Sequence, residues 1–491
     1  DQHCPGKEEV SHGTTIEILG LNRLMAPRPL YKVKEWIAET VLEDTLDIEA
    51  EQMHDNRIGR TLDDLHPHLG AIWQDVAVHA ILEYDIDLRF LHYDITSIYF
   101  EGEYTESEKI SYGYSRDHRP DAKQVNLSVN VTSETGIPLG YRVLAGRTAD
   151  RTTPLENMKA LRSLLDRPEL AERERDFLLV SDRAMLDRDV LVAYAEKQIR
   201  WLGPLTVGES LRDVMDAVPD QVLEDHPLTY RPVNQPQDEP PRYYGVLRSA
   251  TIEHEGEEVP LQVLVVKSRT KVKLDRDRRQ TYLDRLISRL EDIQGMLNTR
   301  RYKRRDHAWS QIEKARHGNR AKALVDVELT GEDGSMELSF RVNEEKLAQA
   351  EARDGRYLLG TNAFDLSADE MLARFKKQEV VERRIKVVKG PIRIRPVFLQ
   401  KEERIEGLVF VAMMALLVYA ILEMLCRRAG RWITARQVLE KFELLGAVYL
   451  QFGDGSVLKL PSELNATQRQ LIELLRFPDP AVYLQPLEAG S

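Results

Sequence analysis

Leu91-His92-Tyr93-Asp94-Ile95-Thr96-Ser97-Ile98-Tyr99-Phe100 is a run of β-branched and aromatic residues with one carboxylate in its middle. Such a run reads as a strand. Apolar residues fall on both of its faces, so the strand is expected to be central, with neighbours on both sides. An ionised Asp94 there costs several kcal/mol unless something pairs it. A hydrogen-bonded core aspartate and a carboxylate waiting for a cation both fit this stretch.

Working outward, residues 125–131 and 139–145 form a hairpin across Ser133-Glu134-Thr135-Gly136. A helix over 153–165, a short buried strand over 177–180, a helix over 187–198 and a strand over 201–205 follow. Asp182 lies just past the carboxyl end of the buried strand, where open α/β sheets place ligands. Three antiparallel strands followed by alternating helices and strands are the order of a ribonuclease-H-like fold. The expected class is therefore α/β: a mixed sheet flanked by helices.

The rest of the chain divides around this core. Residues 1–88 read as a helical N-terminal region, and 89–205 as the first part of the core. Residues 206–350 break the pattern with a proline-rich stretch at 233–241, strands over 242–252 and 259–267, a charged helix over 275–297, and a hairpin over 325–342. They read as an inserted β-rich domain. Residues 351–430 return to the core, opening with a strand at 357–362, and 431–491 form a tail with a hairpin and a helix. The 15-residue apolar run at 408–422 is too short for a membrane span and reads as a buried core helix, so no membrane partner is expected.

Charge is unevenly spread. The 491 residues carry a net charge of -12, which argues against a simple basic nucleic-acid coat. Yet residues 267–320 hold 17 Lys/Arg against 7 Asp/Glu, and residues 376–401 hold 9 against 2. Within the first of these, Arg301, Lys303, Arg304 and Arg305 form a cluster. It is either a solvated helix face or a phosphate-binding surface on which Tyr302 and Trp309 stack on bases. So local an imbalance favours the second. Cys4 and Cys426 are the only cysteines, which offers no disulfide framework and points to a reducing cytosol. The first thirty residues show no signal-type apolar core.

A second carboxylate-bearing stretch sits far downstream. Phe375, Gln378, Glu382 and Lys389 are spaced 0, 3, 7 and 14, which on one helix places them within about 60° of arc. Alone, this reads better as a solvated charged helix. Here the sequence resembles the DDE-class insertion-sequence transposases, in the cut-and-paste group whose last acid lies in a Tyr-x2-Arg-x3-Glu-x6-Lys signature. This chain keeps the spacing and substitutes Phe375 for Tyr and Gln378 for Arg. The first acid matches in Tyr93-Asp94-Ile95-Thr96-Ser97 and the second in Val180-Ser181-Asp182-Arg183. The stretches 113–124 (GYSRDHRPDAKQ), 146–153 (GRTADRTT) and 354–362 (DGRYLLGTN) resemble the family too, and the likeness spans roughly residues 15–430.

The resemblance implies an enzyme that cuts DNA at the ends of an insertion element and joins the freed 3′-OH ends to target DNA. It implies a hairpin intermediate, a homodimer holding two ends together, and a place at the nucleoid in the bacterial or archaeal cytoplasm. Asp94, Asp182 and Glu382 would hold two Mg²⁺ ions (Mn²⁺ substituting) about 3.5–4 Å apart, Asp94 bridging both and each of the others holding one. Lys389 would contact a phosphate near the cleaved bond. Gln378 and Phe375 would keep weaker DNA contacts than the family's Arg and Tyr, and Arg116, Arg119 and Lys123 would add phosphate contacts. The runner-up is a decayed or domesticated relative that only binds DNA, motivated by the two departures. Another ribonuclease-H-like nuclease, such as a junction resolvase, is disfavoured by the large insertion.

Overall fold

The computed structural model describes residues 1–484 apart from Lys7, 105–106, 174–175, 233–234, Gln237 and 395–398. Three positions of the proline-rich stretch expected to be a linker (Val233, Asn234, Gln237) therefore lie outside the described residues. The chain forms two units, Asp1–Arg200 with Lys376–Ser491, and Trp201–Phe375.

In the first unit the decisive stretch is a strand, β1 (Phe90–Tyr99). It pairs antiparallel with β2 (Gln124–Thr132), which pairs antiparallel with β3 (Pro138–Ala145). On its other side β1 pairs in parallel with β4 (Leu178–Ser181). The order β3-β2-β1-β4, antiparallel and then parallel, is the ribonuclease-H-like arrangement expected from the order of elements. Every residue of β2 is buried, and most of β1 is, which is the burial of an interior strand.

Helices cover this sheet. The helix Glu402–Arg428 contains the apolar run, and residues from Leu408 to Leu417 are almost all buried inside the unit. It packs on the helices His12–Met25 and Asp55–Leu65 and on β3. Its length and composition would suit a membrane span, but its apolar side chains are used as core. The N-terminal region is helical as expected, ending in the helix Leu69–Glu83, whose Trp73 indole donates to the Leu139 carbonyl of β3 at 2.9 Å. Cys4 and Cys426 are both free thiols.

The second unit carries β5 (Arg200–Pro204, Arg200 belonging to the first unit), β6 (Tyr243–His254), β7 (Glu257–Ser268), β8 (Val325–Thr330), β9 (Glu337–Val342) and β10 (Arg356–Thr361). β10 pairs antiparallel with both β5 and β7, and β6 closes the order β5-β10-β7-β6. The strand expected at 357–362 is β10, and it pairs both with β5, expected in the first part of the core, and with β7 of the insertion. A separate core forms where Leu283, Leu286, Leu290 and Ile293 of the helix Arg269–Met296 meet the β8–β9 hairpin and the helix Arg305–Arg316. Tyr302 is 2% exposed within that core, so it is not available to stack on bases, unlike Trp309 at 40%.

Candidate active site

The parallel register of β1 and β4 runs from Phe90 opposite Leu178 to Tyr93 opposite Ser181. Asp94 and Asp182 each come one residue after this last pair. β4 ends at Ser181, and Asp182 keeps an extended backbone (φ -79°, ψ 163°) before a short turn, Arg183–Met185. Asp182 is exposed; Asp94 is partly buried and accepts the Ile95 N–H at 2.7 Å. Burial pushes the Asp94 carboxyl up to about 7, and the negative charges of Asp182 and Glu382 push in the same direction, against the Ile95 N–H and Arg116. The three acids, scattered over nearly three hundred positions, thus lie within electrostatic reach of one another. Among the described residues no three His, Cys, Asp or Glu side chains close around a single ion.

Glu382 reaches this end of the sheet on the helix Glu379–Lys389, which is held by two buried polar anchors. The first is Gln378. Its Nε2 donates to the Tyr93 carbonyl at 3.1 Å, so its Oε1 faces His92 Nδ1, 2.9 Å away. A carbonyl oxygen only accepts, so Nδ1 carries the proton and Nε2 accepts from the Ser133 hydroxyl at 3.0 Å. The residue before Asp94 is tied in this way to the residue four before Glu382. The second anchor is Arg384, 1% exposed. It donates to the Gly136 and Thr135 carbonyls at 2.8 and 2.7 Å and to Glu423 at 2.7 Å. Burial lowers its pKa, and the Glu423 carboxylate opposes that shift. With Val381, Ile385, Val387 and Val388 also buried, the helix turns Glu382, Arg383 and Lys386 outward.

The single helix expected over 375–389 is two. One ends at Lys376 and the next begins at Glu379, with Lys377 and Gln378 forming a turn between them. Phe375, in the second unit, therefore does not share a helical face with Glu382. The turn lets Gln378 point into the sheet, where it is 8% exposed and hydrogen-bonded at both ends of its amide. It positions the helix here; it does not face a ligand from outside.

The expected phosphate contacts of the first unit are engaged with the protein itself. Lys389 Nζ is 2.8 Å from Asp117, and both side chains are nearly buried. Arg116 pairs with Asp150. Arg119 is gripped by Asp121 at 2.9–3.1 Å and lies over the Tyr99 ring. Lys123 donates to the Tyr104 carbonyl at 3.0 Å. In the second unit Arg301, Lys303, Arg304 and Arg305 are all exposed, Arg305 also donating to the Leu329 carbonyl at 2.9 Å.

The stretches 113–124 and 146–153 meet beside the acids. Gln124 donates to the Tyr114 and Gly146 carbonyls, and Asn126 to those of Gly146 and Thr148. A Cβ on Gly113 would collide with the Gly146 carbonyl, and one on Gly146 with that of Gln124, which is why both stretches carry glycine there. Tyr93 donates to Thr153 at 2.9 Å, tying the second stretch to β1. His92, Ser133, Arg384 and Glu423 were not singled out from sequence. The one available signal was a buried-strand histidine two residues before the acid.

Residues 1–77 match the family model described as a domain of unknown function, DUF4277. No curated protein matches the chain. Among solved structures, a piggyBac transposase synaptic complex with hairpin DNA aligns over 98% of this chain and 77% of its own, at 10% identity and a TM-score of 0.42. A Mos1 transposase paired-end complex with the left transposon end aligns over 43% of this chain and 63% of its own, at 13% identity and a TM-score of 0.17. Both scores fall below one half, so neither likeness says what this chain does.

Proposed function

We propose that the chain is a cut-and-paste DNA transposase whose acids Asp94, Asp182 and Glu382 direct hydrolysis and transfer of phosphodiester bonds at the ends of an insertion element. One observation carries the reading: three acids from distant parts of the chain gather at one end of β1 and β4, close enough that Asp182 and Glu382 add to burial in raising the Asp94 pKa. The donor set suits a hard divalent cation such as Mg²⁺ or Mn²⁺. Every candidate ligand is a carboxylate oxygen, and the charge that Asp94 resists is the charge such a cation neutralises. Asp94, Asp182 and Glu382 are the residues that would hold such cations. When bound, a metal pair supplies an activated nucleophile and a stabilised leaving oxygen.

The chain's own residues supply position. β1 carries Asp94, the end of β4 leads directly into Asp182, and Gln378 and Arg384 hold the Glu382 helix against the sheet. The partners on this reading are double-stranded DNA, as element ends and as target, and a second copy of the chain holding the other end, at the nucleoid in the cytoplasm.

The test is cleavage by the intact chain of duplex DNA carrying the sequences that flank its gene, with Mg²⁺ or Mn²⁺. Asp94→Asn, Asp182→Asn and Glu382→Gln are each expected to abolish nicking while binding persists. Full cleavage by any of the three overturns the proposal. Binding without nicking by the unaltered chain favours the second reading, a DNA-binding relative without catalysis, to which the Phe375 and Gln378 departures point.

A further inference from the structure

Three carboxylates repel a polyanion, so a DNA backbone reaching them needs compensating cations close by. The cations first expected to serve are largely neutralised by the protein: Lys389 by Asp117, Arg116 by Asp150, Arg119 by Asp121. A different set stands beside the acids. Arg183 follows Asp182 directly and is exposed. Arg383 follows Glu382, and Lys386 lies one helical turn beyond it, about 40° away around the axis; both are exposed. Arg151 is exposed on the turn Asp150–Thr152, which packs against the turn Arg183–Met185. That turn is fixed on either side of Arg151, by Asp150 to Arg116 and by Thr153 to Tyr93. None of the four makes an ion pair with a carboxylate among the described residues, although the chain carries 81 Asp and Glu against 69 Lys and Arg.

We propose that Arg151, Arg183, Arg383 and Lys386 form a phosphate-binding rim around Asp94, Asp182 and Glu382, and that DNA backbone is its occupant. The inference rests on the transposase reading and assigns that site's backbone contacts. The rim spans both the sheet end and the Glu382 helix, so one strand lying along it would bring a phosphodiester over the acids. Arg119 and Lys123, held by Asp121 and by the Tyr104 carbonyl, lie outside the rim.

The experiment is equilibrium binding of the intact chain, in EDTA, to a labelled duplex carrying the flanking sequences, between 50 and 200 mM salt. Each lost phosphate contact makes the slope of log K against log salt shallower by about 0.9. Arg151→Gln, Arg183→Gln, Arg383→Gln and Lys386→Gln are expected to do so singly, and together to give a change of about 3.6, with melting temperatures unchanged. Arg119→Gln and Lys123→Gln are expected to leave the slope as it is. Salt-dependent binding by the unaltered chain with slopes untouched in the four variants overturns the rim alone. An unaltered chain that shows no affinity for the duplex overturns the rim and the transposase reading together.

Discussion

Replacing Gln378 by alanine isolates what holds Glu382 in place. The truncation strands two buried groups, the His92 Nδ1–H and the Tyr93 carbonyl, which the amide satisfies at 2.9 and 3.1 Å. Each unsatisfied group costs about 1–3 kcal/mol, which sets the loss at about 2–6 kcal/mol before any water enters. A protein of ordinary stability has about 5–15 kcal/mol in total. The chain has two units, so a global unfolding curve would mix them. Hydrogen exchange resolved by peptide is the better assay. Amides of Glu379–Lys389 and of β1 are expected to lose protection by a factor of about 30 or more, while the β8–β9 hairpin in the other unit keeps its own. Cleavage is expected to fall while DNA affinity and its salt dependence hold. Unchanged protection together with weakened DNA binding would refute the reasoning, because Gln378 would then be a DNA contact and not an anchor.

Asp94 gives a pH dependence whose sign follows from its raised pKa. Its carboxyl titrates near 7 in the folded chain and near 4 when unfolded, so folding favours the protonated form. The contribution to stability is complete below about pH 4 and is lost as pH rises through 7. In metal-free buffer Asp94→Asn is expected to raise the melting temperature at pH 8, by the equivalent of up to about 4 kcal/mol less whatever solvent screens, and to leave it unchanged at pH 4. A lower melting temperature at pH 8 would count against it. Arg384→Met breaks a pair in which both side chains are at most 3% exposed, and should cost about 3–5 kcal/mol, read as lost exchange protection across Glu379–Lys389. A cost below about 1 kcal/mol would mean that Arg427, 3.3 Å from Glu423, suffices as its partner.

What the sequence made legible was local. A strand announces itself through β-branched and aromatic residues, and Asp94 and Asp182 each sit within or beside one, so the order of elements and both acids could be read off short windows. The polar contacts that join distant segments left no such trace. Gln378 finds His92 across 286 positions, and Lys389 finds Asp117 across 272. Periodicity ran unbroken through 375–389, whereas the chain turns at Lys377 and Gln378 to meet partners that no window around it contains. Tyr302 misled for the opposite reason. Its basic neighbours suggest a surface, and only the fold of Leu286, Ile312 and Leu338 around it shows that its ring is core. Charge told where cations are abundant, but not which of them the protein had already neutralised.

The parallel register of β1 and β4 has a mechanical consequence. Asp94 lies within β1 and Asp182 directly follows the end of β4, each one residue past the last paired rung, Tyr93 opposite Ser181, so the sheet itself sets where their backbones start. The third is carried by a separate lever clamped through side chains. On the proposed reading, adjustment of the trio falls to the helix that carries Glu382, moving as one jaw against the sheet.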